Sequence, residues 1–324
     1  MPEQALLSIR NLTVQLMTVR GIVHAVRGID LTIQPGEIMG IVGESGCGKS
    51  ITAKSILRLH DESRSRIRGE ILFEGQDILK KSSREMERFR GGEAAMIFQD
   101  PMGCLDPLMT IGDQLCETLI LHTGATKKEA QARALELLEM VGIHPAQKRA
   151  RQYPFSFSGG MLQRVMIAIA IACKPKLLIA DEPTTALDVT IQAQVLELIK
   201  RLSKEMNMAV MLITHNFGVI AELCDRVSVM YAGKIVESGD VRDIFDHPGN
   251  PYTQSLIASI PRPGKPGQRL TTIEGAPPEL FSLIEGCPFA PRCQSAGANC
   301  TQGEILLSEI DHGHMVACVE VGKS

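Results

Sequence analysis

Apolar runs at 31–33, 38–42, 70–73 and 95–98 punctuate the chain between Leu7 and Ile97 and read as short strands, with one helix predicted from Lys49 to 59. That rhythm is α/β. From 101 to 161 the apolar period becomes helical. Helices are predicted over 111–122 and 128–141, the second opened by Thr126 with Glu129 at the capping-box spacing. The segment therefore reads as a helical insert. The α/β order then resumes with a strand at 177–180, a helix at 191–205, a strand at 208–214 and a hairpin through Ala232 and Gly233. After 239, Pro248, Pro251, Pro261, Pro263, Pro266, Pro277 and Pro278 interrupt the pattern and mark a linker with a small appended domain. The expected division is 1–239 and 240–324, with no internal repeat or low-complexity tract.

A length of 324 residues suits one large domain plus a smaller addition. The 44% hydrophobic and 22% charged fractions are those of an ordinary globular chain, and a formal charge of −3 gives no general attraction to nucleic acid or anionic lipid. The opening MPEQALLSIRNL lacks the basic and apolar regions of a secretory signal, so a cytoplasmic chain is expected. The most apolar windows, 165–173 and 208–214, are far shorter than the ~20 residues a spanning helix requires. Any membrane link is expected through a partner. Of nine cysteines, Cys47, Cys104, Cys116, Cys173 and Cys224 are scattered and read as free thiols, while four gathered between Cys287 and Cys318 suggest a metal site.

The run 38–42 leads into Gly43-Glu44-Ser45-Gly46-Cys47-Gly48-Lys49-Ser50, a full match to GxxxxGK[ST] that opens a helix through Ile51. Such a loop aims backbone N–H groups at phosphate oxygens, and the helix N-terminus adds its positive dipole end. Lys49 is expected on the β- and γ-phosphates and Ser50 on magnesium. A Gly-rich turn before a helix is the plainer alternative, and the complete match in its strand–helix setting favours the nucleotide. The strand at 177–180 ends in Asp181-Glu182, which would bring two carboxylates to the C-terminal edge of a parallel sheet. Asp181 is expected to anchor magnesium and Glu182 to act as general base on the attacking water. His215, after the 208–214 strand, would emerge near the γ-phosphate, and Gln99, after 95–98, could reach the metal or the water.

Phe157-Ser158-Gly159-Gly160-Met161-Leu162-Gln163 resembles the signature sequence of ABC ATPases. That resemblance implies a RecA-like P-loop NTPase fold, an ABC ATPase core with a helical subdomain and a small irregular C-terminal domain. Within it, Gln99 corresponds to the Q-loop, Asp181 and Glu182 to the Walker B pair, Ala186-Leu187-Asp188 to the D-loop and His215 to the switch histidine. Ser158, Gly159, Gly160 and Met161 would close in trans over ATP held by another subunit. QDPMGCLDPLMTIGDQL, YPFSFSGGMLQRVMIA and DEPTTALDVTIQAQVLELI look like the dipeptide and oligopeptide importer ATPases, the group that also serves nickel, and HPGNPYTQSL and GCPFAPRC look like their tail. The resemblance implies ATP and Mg2+ as cofactors, and hydrolysis coupled to uptake of di- or oligopeptides, or of nickel. It also implies transmembrane permease subunits, a second and paralogous ABC ATPase, an extracytoplasmic solute-binding protein, no nucleic acid, and a peripheral place on the cytoplasmic face of the inner membrane. One departure is the absence of an adenine-stacking aromatic over 14–18, where Leu16 or Met17 would supply apolar contact instead.

Cys287, Cys293, Cys300 and Cys318 could close one tetrahedral ion site or one cubane. Their spacings exceed the CxxC pairs of zinc ribbons, and the resembling tails favour a [4Fe–4S] cluster, with Zn2+ or unliganded thiols as alternatives. The tail's large apolar residues are chiefly Phe281, Leu283, Ile284 and Phe289, too few for an independent core, so a structural cluster is expected. Two other classes stand beside the importer: an ABC ATPase acting on DNA or ribosomes, and a metal or redox sensor. The first lacks its heptad insertion or second ATPase half here, and an intact Glu182 and His215 speak against the second.

Overall fold

The computed structural model describes residues 5–185, 187–260 and 273–321. Ala186 of the expected D-loop, and Pro261, Pro263 and Pro266, lie outside them. The chain gathers into two compact units, one comprising the residues up to Ile33, Ile38–Leu79 and Ile213 onward, the other Gln34–Glu37 and Lys80–Leu212.

The first unit opens with a long antiparallel hairpin, Leu7–Thr18 against Gly21–Ile33, paired from Leu7↔Ile33 to Thr18↔Gly21. The Ser65–Phe73 strand joins its other side, and Gln76–Asp77 pairs with that strand. The sequence pattern marks only 31–33 and 70–73 of this sheet. Register shifts between Ile9 and Leu12 and between Val14 and Gln15 break the alternation of period two, so the strands hide from a periodicity reading. In a second sheet the fully buried Ile38–Val42 strand runs parallel to Arg226–Tyr231. The latter turns back antiparallel as Lys234–Asp240 through Ala232 and Gly233, both at positive φ (47° and 79°), as the hairpin reading expects. His314–Val316 adds to Lys234–Asp240, and Ser308–Asp311 to His314–Val316. The Pro-rich tail is thus tied into the sheet that carries the 38–42 strand. Its Leu280 and Phe289 sit in one core cluster with Val42, Phe217, Tyr231 and Tyr252, whereas Leu283 is 72% exposed. Borrowed core offsets the shortage of apolar residues in the tail.

In the second unit Ala94–Ile97 and Leu177–Asp181 pair in parallel, and Ala209–Thr214 is the next strand in order, its last two residues belonging to the first unit. Helices occupy Ile111–Thr123 and Lys127–Met140, and the capping box of Thr126 and Glu129 is formed in both directions. Gly159–Ile171 and Val189–Met206 follow. A helix at Ser83–Gly92, capped by Ser82 and Glu85, has no counterpart in the sequence reading, because its charged run SREMERFR offers only Met86 and Phe89 as buried residues. No helix among the described residues is long and apolar enough to cross a membrane.

Candidate active site

The Ile38–Val42 strand delivers the loop 43–48 to the start of the Lys49–Ile56 helix. Gly48 is the N-cap at φ 109°, and a Cβ there would stand 2.5 Å from the Ala25 carbonyl oxygen, so only glycine fits. Lys49 is 5% exposed, and its ammonium donates to the carbonyl oxygens of Gly43 (2.7 Å) and Glu44 (2.9 Å). Ser45 and Gly46 are exposed, and Ser50 and Ile51 half-buried. Burial pushes the Cys47 thiol up, with Lys49 acting against the shift. Glu44 is fastened from behind. Its N–H donates to the Tyr252 hydroxyl (2.9 Å), and its carboxylate accepts from Arg292 Nη1 (2.6 Å) and Nη2 (3.0 Å). His215, at the end of the Ala209–Thr214 strand and in the same unit, is exposed.

The second unit holds the acidic pair. Asp181 ends its strand 5% exposed, and Glu182 turns the chain at φ 48°, the left-handed region. Gln99 Nε2 donates to Glu182 Oε2 (3.2 Å), and the Thr185 hydroxyl donates to the same oxygen (2.8 Å). A carboxylate held by two donors on one oxygen is fixed in direction. Asp188 caps the Val189–Met206 helix through the Ile191 N–H (3.0 Å). Ser158 is the exposed N-cap of Gly159–Ile171, and its side chain makes no capping bond to its own helix. Gly159 is exposed and Met161 half-buried, while a Cβ at Gly160 would meet Ile191 Cγ2 at 2.5 Å, which lets the helix start approach the Asp188 turn.

In the tail, Cys287, Cys293, Cys300 and Cys318 line one small cavity together with Phe289, and the Cys287 N–H donates to the Cys300 carbonyl (2.7 Å). All nine cysteines are free thiols. Burial raises the thiols of Cys287 and Cys293 above the ordinary range. Among the described residues no group of three or more His, Cys, Asp or Glu stands ready to hold a metal ion. The four cysteines of the expected metal site thus surround one common cavity as thiols.

Residues 26–185 match the family model for the ABC transporter, and residues 236–300 that for the oligopeptide/dipeptide transporter C-terminal region. The dipeptide transport ATP-binding protein DppD of Bacillus subtilis (strain 168) is 48% identical over 319 residues, covering 97% of this chain and 94% of DppD. The chain belongs to the ABC transporter ATP-binding family. The oligopeptide transport ATP-binding protein OppD of Haemophilus influenzae is 47% identical over 313 residues, covering 97% of this chain and 96% of OppD. Among solved structures, the ATP-binding cassette MJ0796 in a dimeric post-hydrolysis state bound to ADP and Pi is similar at TM-score 0.65 and 29% identity, over 73% of this chain and 99% of that one. In this ABC ATP-binding subunit the structure makes four contacts outside the sequence reading: Gln99 and Thr185 on Glu182, and Tyr252 and Arg292 on Glu44. Thr185 and Tyr252 lie inside DEPTT and HPGNPYTQSL, so the only signal for them was their place in those family-like stretches.

Proposed function

We propose that this chain binds ATP and hydrolyses it as a subunit of an ABC importer for di- and oligopeptides, peripheral to the cytoplasmic face of the membrane. Its ATPase domain spans 1–239 and its tail 240–324. The observation that carries the reading is Glu182, fixed by Gln99 and Thr185 beside the buried Asp181, in a chain whose other unit wraps a phosphate loop around Lys49. The 43–51 loop binds the phosphates through backbone N–H groups other than that of Glu44, which donates to Tyr252, Lys49 moves from the loop carbonyls to the β- and γ-oxygens, and Glu182 accepts the attacking water's proton. Ser50, Asp181 and Gln99 would hold Mg2+, which neutralises phosphate charge when bound. His215 orients the γ-phosphate, and Ser158, Gly159, Gly160, Met161 and Asp188 meet the partner ATPase.

The names of the B. subtilis and H. influenzae relatives support a peptide substrate, and the partners are transmembrane permease subunits, a paralogous ATPase and a solute-binding protein. Reconstituted with those partners in vesicles, the chain should hydrolyse ATP faster when the binding protein carries a peptide. Stimulation by nickel-loaded binding protein alone would overturn the peptide assignment.

The four tail thiols carry the donor set of a [4Fe–4S] cluster, and Cys287, Cys293, Cys300 and Cys318 would hold it, its chemistry being structural cross-linking of the tail. Protein purified without oxygen should be brown with about four irons per chain. One zinc per colourless chain would replace the cluster by Zn2+, and a metal-free tail would remove both.

A further inference from the structure

The phosphate loop is gripped by residues far away in sequence. Glu44, its second residue, forms an ion pair with Arg292, which comes from the short 290–292 turn between Cys287 and Cys293. The pair is bidentate and enclosed: Arg292 is 5% exposed and Glu44 26%. Arg292 is fixed on every side. Its Nε donates to the Glu274 carbonyl (2.9 Å) and Nη1 to the Tyr231 hydroxyl (3.2 Å), and its guanidinium lies 5.9 Å from the ring centres of both Tyr231 and Phe289. Tyr252, whose hydroxyl takes the Glu44 N–H, packs on Tyr231 (centroids 4.5 Å) and Phe289 (5.2 Å). Glu44 is thus held at both its backbone and its carboxylate by one aromatic block, and its carbonyl is one of the two oxygens on which the Lys49 ammonium rests.

We infer that Arg292 and Tyr252 are positioning residues for the phosphate loop, so that the tail sets nucleotide affinity by fixing the backbone of Glu44. The physical reason is the preorganisation of a loop that binds through its backbone. N–H groups already aimed inward need not be ordered when phosphate arrives, and a charge-assisted bidentate pair out of water is stiff enough to hold that aim.

The inference rests on the phosphate-loop reading, and Lys49→Ala separates the two. In the full chain, titration with a fluorescent ATP analogue should show Arg292→Gln weakening binding about tenfold, and Arg292→Lys, which keeps the charge but loses the fork, recovering part of it. Tyr252→Phe, which keeps the ring and removes only the hydroxyl, should weaken binding about threefold while the chain stays folded with a cooperative thermal transition. Glu44→Gln combined with Arg292→Gln should be no weaker than Arg292→Gln alone, because both remove one interaction. If Lys49→Ala abolishes binding while Arg292→Gln and Tyr252→Phe bind as wild type, the tail is only packed against the loop and the inference is wrong. If Lys49→Ala binds normally as well, the phosphate-loop reading itself fails. Should Arg292→Gln not fold, Tyr252→Phe decides alone.

Discussion

Glu182 adopts φ 48°, a conformation that non-glycine residues hold only when their surroundings impose it, at a cost on the order of 1–3 kcal/mol. What imposes it is visible: the strand ends at Asp181, and Gln99 and Thr185 both donate to one carboxylate oxygen. Glu182→Gln keeps the shape of the side chain and removes its basicity. Turnover should fall by at least ~10²-fold with ATP affinity retained, measured as phosphate release by the assembled transporter and as equilibrium binding. Activity within a few-fold of wild type would remove Glu182 from its role. Thr185→Val tests the aim of the carboxylate without its basicity. It deletes a 2.8 Å hydrogen bond, so kcat should drop about 3- to 10-fold while KM for ATP stays put. An equal change in both would mean that Thr185 serves binding. Asp181, Glu182 and Lys49 stand out in the sequence because each sits in a motif whose chemistry is set by immediate neighbours. Arg292 does not, since its partner Glu44 stands at the other end of the chain and no local pattern announces a contact of that span.

Among the elements, the strand that the tail adds to the sheet is secured by a buried polar knot. Glu237 in Lys234–Asp240 is fully buried and accepts from the Gly249 N–H (2.6 Å), the Asn250 N–H (3.1 Å) and His314 Nε2 (2.7 Å), the last from the neighbouring His314–Val316 strand. Removing one member of such a group strands the others. His314→Leu should destabilise the protein by ~3–5 kcal/mol, read from chemical denaturation, and expose the tail to protease, while a cost under about 0.5 kcal/mol would show that the knot relaxes freely. This strand was invisible to the periodicity reading because it is short and its register with Lys234–Asp240 spans only Glu237↔Val316 and Ser238↔Met315. The helices at 111–123 and 127–140 were legible for the opposite reason: they are long, bury residues at helical spacing (Ile111, Leu115 and Leu119 in one, Ala130, Ala134 and Leu138 in the other) and are capped by residues whose side chains mark their own starts. The Ser83–Gly92 helix shares the capping box and still escaped, since two buried side chains do not make a stripe.

At the scale of the whole molecule, the proposed function gives the chain two anion cradles, the loop 43–48 in one unit and the start of the Gly159–Ile171 helix in the other. The first is fitted to a nucleotide of its own by Lys49. The second has no lysine in its turn, exposes Ser158 and Gly159, and leaves the Ser158 hydroxyl unused by its own helix, so its hydrogen-bonding capacity faces outward. A cradle of that kind suits phosphate already bound by another subunit. Two different failures are therefore expected from the two cradles. Lys49→Ala should lose ATP binding by the isolated chain. Ser158→Arg should leave that affinity within about twofold, because the substituted loop takes no part in it, yet abolish ATP-driven association with the partner ATPase, where a bulky side chain blocks the approach of the two Gly amides. The association is measured on a Glu182→Gln background, in which hydrolysis does not dissolve the complex, by light scattering with and without ATP. If Ser158→Arg weakens ATP binding by the isolated chain as strongly as Lys49→Ala does, the two cradles hold one nucleotide within one chain, and the pairing with a second ATPase would have to rest on other surfaces.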